Sequence, residues 1–349
     1  MSRPRIRPGR ITLHPLSSVP PVAFPLPQAP PPATAGATLA RWLDLWMARD
    51  IEPCRADTTV GGYDNIIRNH ICPALGRVRL AQLSPQLING YYQWLAEEKG
   101  LSPNTIRKHH VLLHTALNSA CRQGVLADNP AQRAAPPRAD PVEAAYYTPA
   151  SLGLLLQAVK GHPLEVPVQL ACSLGLRRSE ILGLRWRDVD LRAGLLSVRR
   201  VRTTVGARVV EKPPKTSGSC RTLSIRALDG LLELLRALHA RHVREGQPCA
   251  PGDFLLLDRD GLPLHPSRMS AALSALVRER GLPPITFHGL RHTFATMANS
   301  ARVPMYQISR AMGHSSPSTT QRIYTHLFDQ THGEVLAAVA GVVKAGAAL

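Results

Sequence analysis

The chain has 349 residues, 44% of them hydrophobic, and carries 42 Lys and Arg against 24 Asp and Glu, a formal charge of +18. The hydrophobic content excludes a wholly disordered chain, and no apolar run approaches the ~20 residues that span a bilayer. The positive excess points to a polyanionic partner, most often nucleic acid, or to an anionic membrane surface, and at about 150 residues per domain the length predicts two domains.

Residues 1–36 hold ten prolines, four arginines and no acidic residue, the composition of a basic, disordered or polyproline-like tail. Residues 37–133 read as a helical domain. TLARWLDLWMAR sets Leu39, Trp42, Leu43 and Trp46 on one helical face. A second helix is predicted from Asp57 to His70, ending before Pro73. A third runs from a cap at Ser84 to a stop at Gly100. A fourth has Ser102 as cap, Pro103 in its first turn and Gly124 as stop. Residues 134–147, with prolines on both sides of a charged stretch, are the expected linker.

A second domain is expected over 148–330. Helical segments at 149–160 and 164–176 lead into a β-like region made of LLSVRRV, ARVVEK and RTLSIRA. Further helical segments follow at about 227–245, 266–280, 288–299 and 304–312. An Ala-rich, apolar C-terminal helix is expected over 331–349. The fold class is therefore mainly α with a small antiparallel β-sheet. Most of the net positive charge lies in 148–349, so the polyanion is expected to meet the second domain.

Six cysteines (54, 72, 121, 172, 220 and 249) form no C-x-x-C pair, which argues against a zinc ribbon and gives no disulfide framework. The basic start MSRPRIRPGR lacks the apolar core of a signal peptide, because prolines interrupt each apolar stretch after it. The expectation is a cytoplasmic protein with reduced thiols.

Three stretches of the second domain carry the chemistry. They are Gly175-Leu176-Arg177-Arg178-Ser179-Glu180, His288-Gly289-Leu290-Arg291-His292, and Gly313-His314 with Tyr324 ten residues beyond the histidine. Between the first two lies Pro214-Lys215-Thr216, at what the pattern predicts is a β-hairpin turn. Only six of the 42 basic residues are lysine, so Lys215 stands out; Lys212 is the alternative. Two guanidiniums suit a pentacoordinate phosphorane, since each clamps non-bridging oxygens. A tyrosine phenol suits covalent phosphodiester exchange, because with a pKa of ~10 it is also a fair leaving group.

In this order and spacing the motifs resemble the tyrosine recombinase (phage integrase) family. The resemblance covers about residues 37–330, with LSPNTIRKHHVLLHTALNSACRQGVLADNPA similar to the family's N-terminal core-binding, SAM-like domain. It implies Arg177, Lys215, His288, Arg291 and His314 as catalytic residues and Tyr324 as nucleophile. It also implies that Glu180 and His292 orient the boxes. The implied reaction is site-specific DNA recombination through a 3′-phosphotyrosine and a Holliday junction, for integration, excision or resolution, as in mobile elements. Neither metal nor ATP is implied.

The implied partners are double-stranded DNA at recombination sites, a homotetramer on the synapsed sites, and an accessory directionality factor. The 331–349 helix would dock on a neighbouring protomer or on its own domain. Residues 1–36 are too short and Pro-rich for the folded arm-binding domain of many phage integrases.

Other readings stand beside these. His288 and His292 at i, i+4 have zinc-pair spacing, but no third ligand is apparent. Arg178 reads as a surface residue, and Tyr91, Tyr92, Tyr146 and Tyr147 have no assigned role. Thr105, Arg107 and Lys108, in a TIRKHH run near a helix start, are candidates for DNA contact or simply a solvated basic face. A type IB topoisomerase would share the chemistry, and a DNA-binding protein derived from an integrase would be expected to lack a catalytic residue.

Overall fold

The computed structural model describes residues 36–140, 145–206, 208–214 and 217–313. They fall into two units, 36–50 with 67–138, and 51–66 with 139–313.

The first unit is helical. α1 (Leu39–Trp46) begins at Thr38, whose side chain accepts from Arg41 N, and buries the predicted stripe of Leu39, Trp42, Leu43 and Trp46. Each large apolar side chain so buried contributes about 1.5–3 kcal/mol. Trp42 also donates its Nε1 proton to Ala116 O at 3.0 Å, which satisfies its polar end inside the core. A wide π turn (Met47–Ile51) extends α1.

α2 (Asp57–Ile66) clusters with the second unit, and its helical path continues through a π turn at Ile67–Ile71 into α3 (Cys72–Leu75). The helix was expected to stop before Pro73, yet helical structure continues to Leu75. Pro73 has no N–H to offer the preceding turn, and the widened π turn ahead of it accommodates the ring.

α4 (Pro85–Glu97) is capped by Ser84, which accepts from Leu87 N, and α5 (Pro103–Arg122) by Ser102, which accepts from Thr105 N. Both caps match the sequence reading.

α5 corrects the picture of TIRKHH as one basic face. Ile106 and His109 are buried in the core, and only Arg107 and Lys108 of the run are exposed. Tyr91 and Tyr92 of α4 are core residues bonded to this helix, with Tyr91 Oη 2.8 Å from His109 Nδ1 and Tyr92 Oη 2.8 Å from His110 Nδ1. Burial, then the neighbouring His70, pulls His109 down to about 4, so it stays neutral at physiological pH.

The second unit is built around α7 (Glu165–Leu174). Val166, Pro167, Val168, Leu170, Ala171, Cys172 and Leu174 are all buried, and only the polar stripe Glu165, Gln169 and Ser173, four residues apart, is half-buried, so the core wraps all but one side of the helix. α6 (Pro149–Ala158) precedes it, with Thr148 as the N-cap. The short α8 (Arg178–Ile181) follows.

β1 (Val189–Asp190), β2 (Leu195–Val198), β3 (Val201–Val205), β4 (Arg208–Lys212) and β5 (Arg221–Ser224) form two antiparallel sheets, one ordered β1-β2-β5 and the other β3-β4. α9 (Asp229–Arg244), α10 (Pro266–Glu279), α11 (Phe287–Ser300) and α12 (Met305–Met312) complete the described chain. α11 packs on α7.

The sheet topology differs from the expected hairpin around Lys215. β4 pairs with β3, whereas β5 pairs with β2 in the register Leu196↔Leu223 and Val198↔Arg221. β4 and β5 therefore belong to different sheets. Leu196, Val198 and the Ile225 that follows β5 are fully buried in one core cluster, so burial outweighs the local hairpin.

Candidate active site

Two helix C-termini form the floor of the site. α7 ends at Gly175 with φ 61°, and an added Cβ there would lie 2.6 Å from Phe294 Cδ1, so neither backbone nor space admits a side chain. α12 ends at Gly313 with φ 67°, where a Cβ would lie 2.7 Å from Arg221 Nη1. The glycines of the first and third motifs thus serve left-handed helix ends packed against neighbouring side chains. Their last carbonyls carry the negative end of each helix dipole and have no intrahelical partner.

Guanidiniums supply those partners. Arg291 is 1% exposed and donates through Nη1 to Gly175 O (2.5 Å) and through Nη2 to Met312 O (2.8 Å). Arg177, at the N-cap of α8, donates through Nη2 to Gly313 O (3.2 Å), with Nη1 3.5 Å from Met312 O. Arg221 of β5 donates through Nε to Ala311 O (2.7 Å). Three cations from separate elements meet one helix end, and Arg177 and Arg291 share Met312 O.

Glu180, 1% exposed, balances this charge. Its Oε1 accepts from Arg177 Nη1 (2.7 Å) and Arg221 Nη1 (3.2 Å). Its Oε2 accepts from Arg177 N (3.0 Å) and Arg221 Nη2 (2.9 Å). Burial alone would raise this carboxyl, but the hydrogen bonds and charge of Arg221, with Arg177, outweigh it and hold Glu180 below the usual carboxylate range.

His288 and His292 lie one turn apart on α11, with ring centroids 4.4 Å apart and edge to face. His288 sits in the first turn and is exposed, while His292 is buried. Desolvation, then the cations Arg291 and Arg177, lowers His288 below its ordinary value. Burial, His288 and Arg291 pull His292 down to about 4. Burial and the neighbouring cations thus favour the neutral form of both rings.

The structure brings together Arg177, Glu180, His288, Arg291 and His292 of the expected set. Lys215, His314 and Tyr324 lie outside the described residues, as do residues 1–35 and the helix expected over 331–349. Lys212 donates to Thr58 Oγ1 at 3.3 Å. Arg178, expected at the surface, is half-buried, and its Nη1 donates to Ser270 Oγ at 2.6 Å.

Arg221 was missed. The only signal for it was an arginine six residues after Lys215 at the start of a strand-like run, and a period-two pattern gives no hint that it meets Glu180. In the first unit, Thr105 shares a hydrogen bond with the cap Ser102 (3.1 Å), and Arg107 Nη1 donates to Pro137 O (3.2 Å).

Among the described residues no group of three or more His, Cys, Asp or Glu side chains is arranged to hold a metal ion. No helix among them is long and apolar enough to cross a membrane.

Comparison with known proteins places this geometry in context. Residues 147–331 match the phage integrase family, and residues 59–135 match the phage integrase SAM-like domain. A tyrosine recombinase XerC-like protein of Caldanaerobacter subterraneus subsp. tengcongensis is 28% identical over 315 residues, covering 83% of this chain and 79% of that protein. The integrase of Mycobacterium phage L5 is 26% identical, covering 84% and 76%.

Among solved structures, the Tn1549 transposon integrase in complex with transposon right-end DNA aligns with a TM-score of 0.73 at 21% identity, covering 86% of this chain and 99% of that one. A lambda integrase tetramer bound to a Holliday junction aligns at 0.63 and 17% identity, covering 82% and 77%. At these identities the structural matches establish the shared fold.

Proposed function

The chain belongs to the phage integrase family and is a tyrosine-type site-specific DNA recombinase; from that premise we propose how its residues divide the work. Arg177 and Arg291 clamp the non-bridging oxygens of the scissile phosphate and neutralise the charge that builds in the phosphorane. The Tyr324 phenol attacks the phosphorus in line. The bond to the 5′-oxygen breaks, a 3′-phosphotyrosine forms, and the departing 5′-oxygen takes a proton from Lys215.

His288 assists proton transfer, and His314 donates to a phosphate oxygen. Glu180 and His292 hold the arginines and α11 in place. A 5′-hydroxyl from a second duplex then attacks the phosphotyrosine, releasing Tyr324 and conserving the number of phosphodiester bonds. Repeating the exchange on the other strands passes through a Holliday junction, with no external energy source.

The observation that carries this reading is the convergence of Arg177 and Arg291 on Met312 O and Gly313 O. Carbonyls fix the positions of both guanidiniums before any phosphate arrives, and Arg291, 1% exposed, must be uncovered for the phosphate to reach it.

The helical region 37–133 acts as the core-binding domain, with the exposed Arg107 and Lys108, next to Thr105, on DNA phosphates. Residues 148–330 form the catalytic domain, 134–147 the linker and 1–36 a basic tail. The assembly on DNA is a homotetramer acting in the cytoplasm, with 331–349 docking on a neighbouring protomer and a directionality factor choosing between integration and excision.

Covalent trapping tests the reading. The protein and its Tyr324→Phe variant are incubated with DNA from around the gene in the presence of a chelator, denatured, and sequenced at any adduct. An adduct in the parent that is absent from the variant is expected. DNA binding without an adduct in the parent, or an adduct that survives Tyr324→Phe, would overturn it.

A further inference from the structure

We infer that Arg221 is a positioning residue for strand cleavage, tying together three motif-bearing segments that are far apart in sequence; this rests on the recombinase reading above. Its backbone is set in β5 opposite the buried Val198 of β2, so its Cα is held by the sheet. Its side chain is 8% exposed. From there the guanidinium reaches the last turn of α12 at Ala311 O (2.7 Å) and both oxygens of Glu180 (3.2 and 2.9 Å), and folds back to Ser219 O (3.1 Å). Ser219 Oγ donates to Gly313 O at 3.3 Å. The stretch 219–221, shortly after Lys215, is thereby fastened to the residue that precedes His314.

The electrostatics give Arg221 a second task. Glu180 is a buried carboxylate between two cations. Arg221 occupies both of its oxygens in a bidentate pair, and the Arg177 side chain keeps a single bond to Oε1 while its Nη2 turns to Gly313 O. Arg221 satisfies the carboxylate so that Arg177 does not have to. Without it, Glu180 draws the Arg177 guanidinium back toward α8, away from the phosphate, and the C-terminus of α12 loses a tether. Affinity for DNA, spread over many phosphate contacts, is untouched by such a shift, whereas a displacement of about 1 Å in a reacting group costs roughly 10²-fold in rate.

The test separates cleavage from binding. Arg221→Met, Arg221→Lys, Glu180→Gln and the double variant E180Q/R221M are compared with the parent for DNA affinity and for the single-turnover rate of adduct formation. Arg221→Met is expected to cleave about 10- to 100-fold more slowly at an affinity within about twofold of the parent. Arg221→Lys, which keeps the charge but not the fork, recovers part of that loss. Because Arg221 acts through Glu180, adding R221M to E180Q costs no more than about a further twofold.

Parental cleavage by Arg221→Met, or losses that multiply in the double variant, would overturn the inference. If Arg221→Met does not fold, Arg221→Lys carries the test alone, and a parental rate there overturns it. Absence of any adduct from the parent is a different result, since it refutes the recombinase reading itself.

Discussion

Replacing Glu180 by Gln removes one negative charge from the centre of the arginine cluster while keeping the side chain's size. The carboxylate is 1% exposed and accepts four hydrogen bonds, two from Arg177 and two from Arg221. Removing one partner from a buried pair costs about 3–5 kcal/mol, because the remaining charge stays desolvated. The Arg177 side chain is 34% exposed, so water replaces part of what it loses, and the low end, about 3 kcal/mol, applies.

For a unit of this size that corresponds to a fall in Tm of about 6–12 °C, read by circular dichroism at pH 7. The pH dependence has a definite sign. The folded pKa of Glu180 lies below its unfolded value, so its contribution is complete above the unfolded pKa, about 4.3, and is lost as pH falls through the folded one. The gap between parent and Glu180→Gln should hold steady from neutral pH down to that point and narrow below it. A shift under about 2 °C at pH 7, or a gap that widens on acidification, would refute the argument.

Two further outcomes follow from the same geometry. His292 is pulled down to about 4 by burial and its neighbours, so it contributes stability above pH ~6.5 that is lost progressively as pH falls toward 4, up to about 3 kcal/mol. Melting curves of the parent and His292→Gln should converge on acidification from pH 7 to 4.5, and parallel curves would contradict the assignment. Gly175→Ala must accept a left-handed φ and a Cβ 2.6 Å from the Phe294 ring, which together cost about 2–3 kcal/mol and displace the carbonyl that anchors Arg291. Its melting temperature and its single-turnover cleavage rate should both fall, and an unchanged pair would show that the α7 end does not position the arginine.

Local chemistry was legible from the sequence wherever it was settled within a few residues. The serine caps at Ser84 and Ser102 each accept from the backbone three residues on, and the stripe on α1 is buried as its period requires. The motif residues Arg177, His288 and Arg291 were singled out because their short boxes, in that order and separation, resemble those of the tyrosine recombinase family.

Tertiary packing decided the rest. Pro73 reads as a stop, yet a widened turn carries the helix past it. RTLSIRA reads as the partner of ARVVEK, yet it pairs beside β2, whose Leu196 and Val198 are buried in the core of the second unit. TIRKHH reads as a basic face, yet Ile106 and His109 turn inward to meet Tyr91 and the core. Arg221 acquires its partners only when β5, α8 and α12 come together, since its contacts to Glu180 and Ala311 span 41 and 90 residues. Local sequence determines which elements form and which side chains they offer. Which of those side chains share a charge is set by long-range burial, because a desolvated carboxylate takes its cations from whichever elements the core brings beside it.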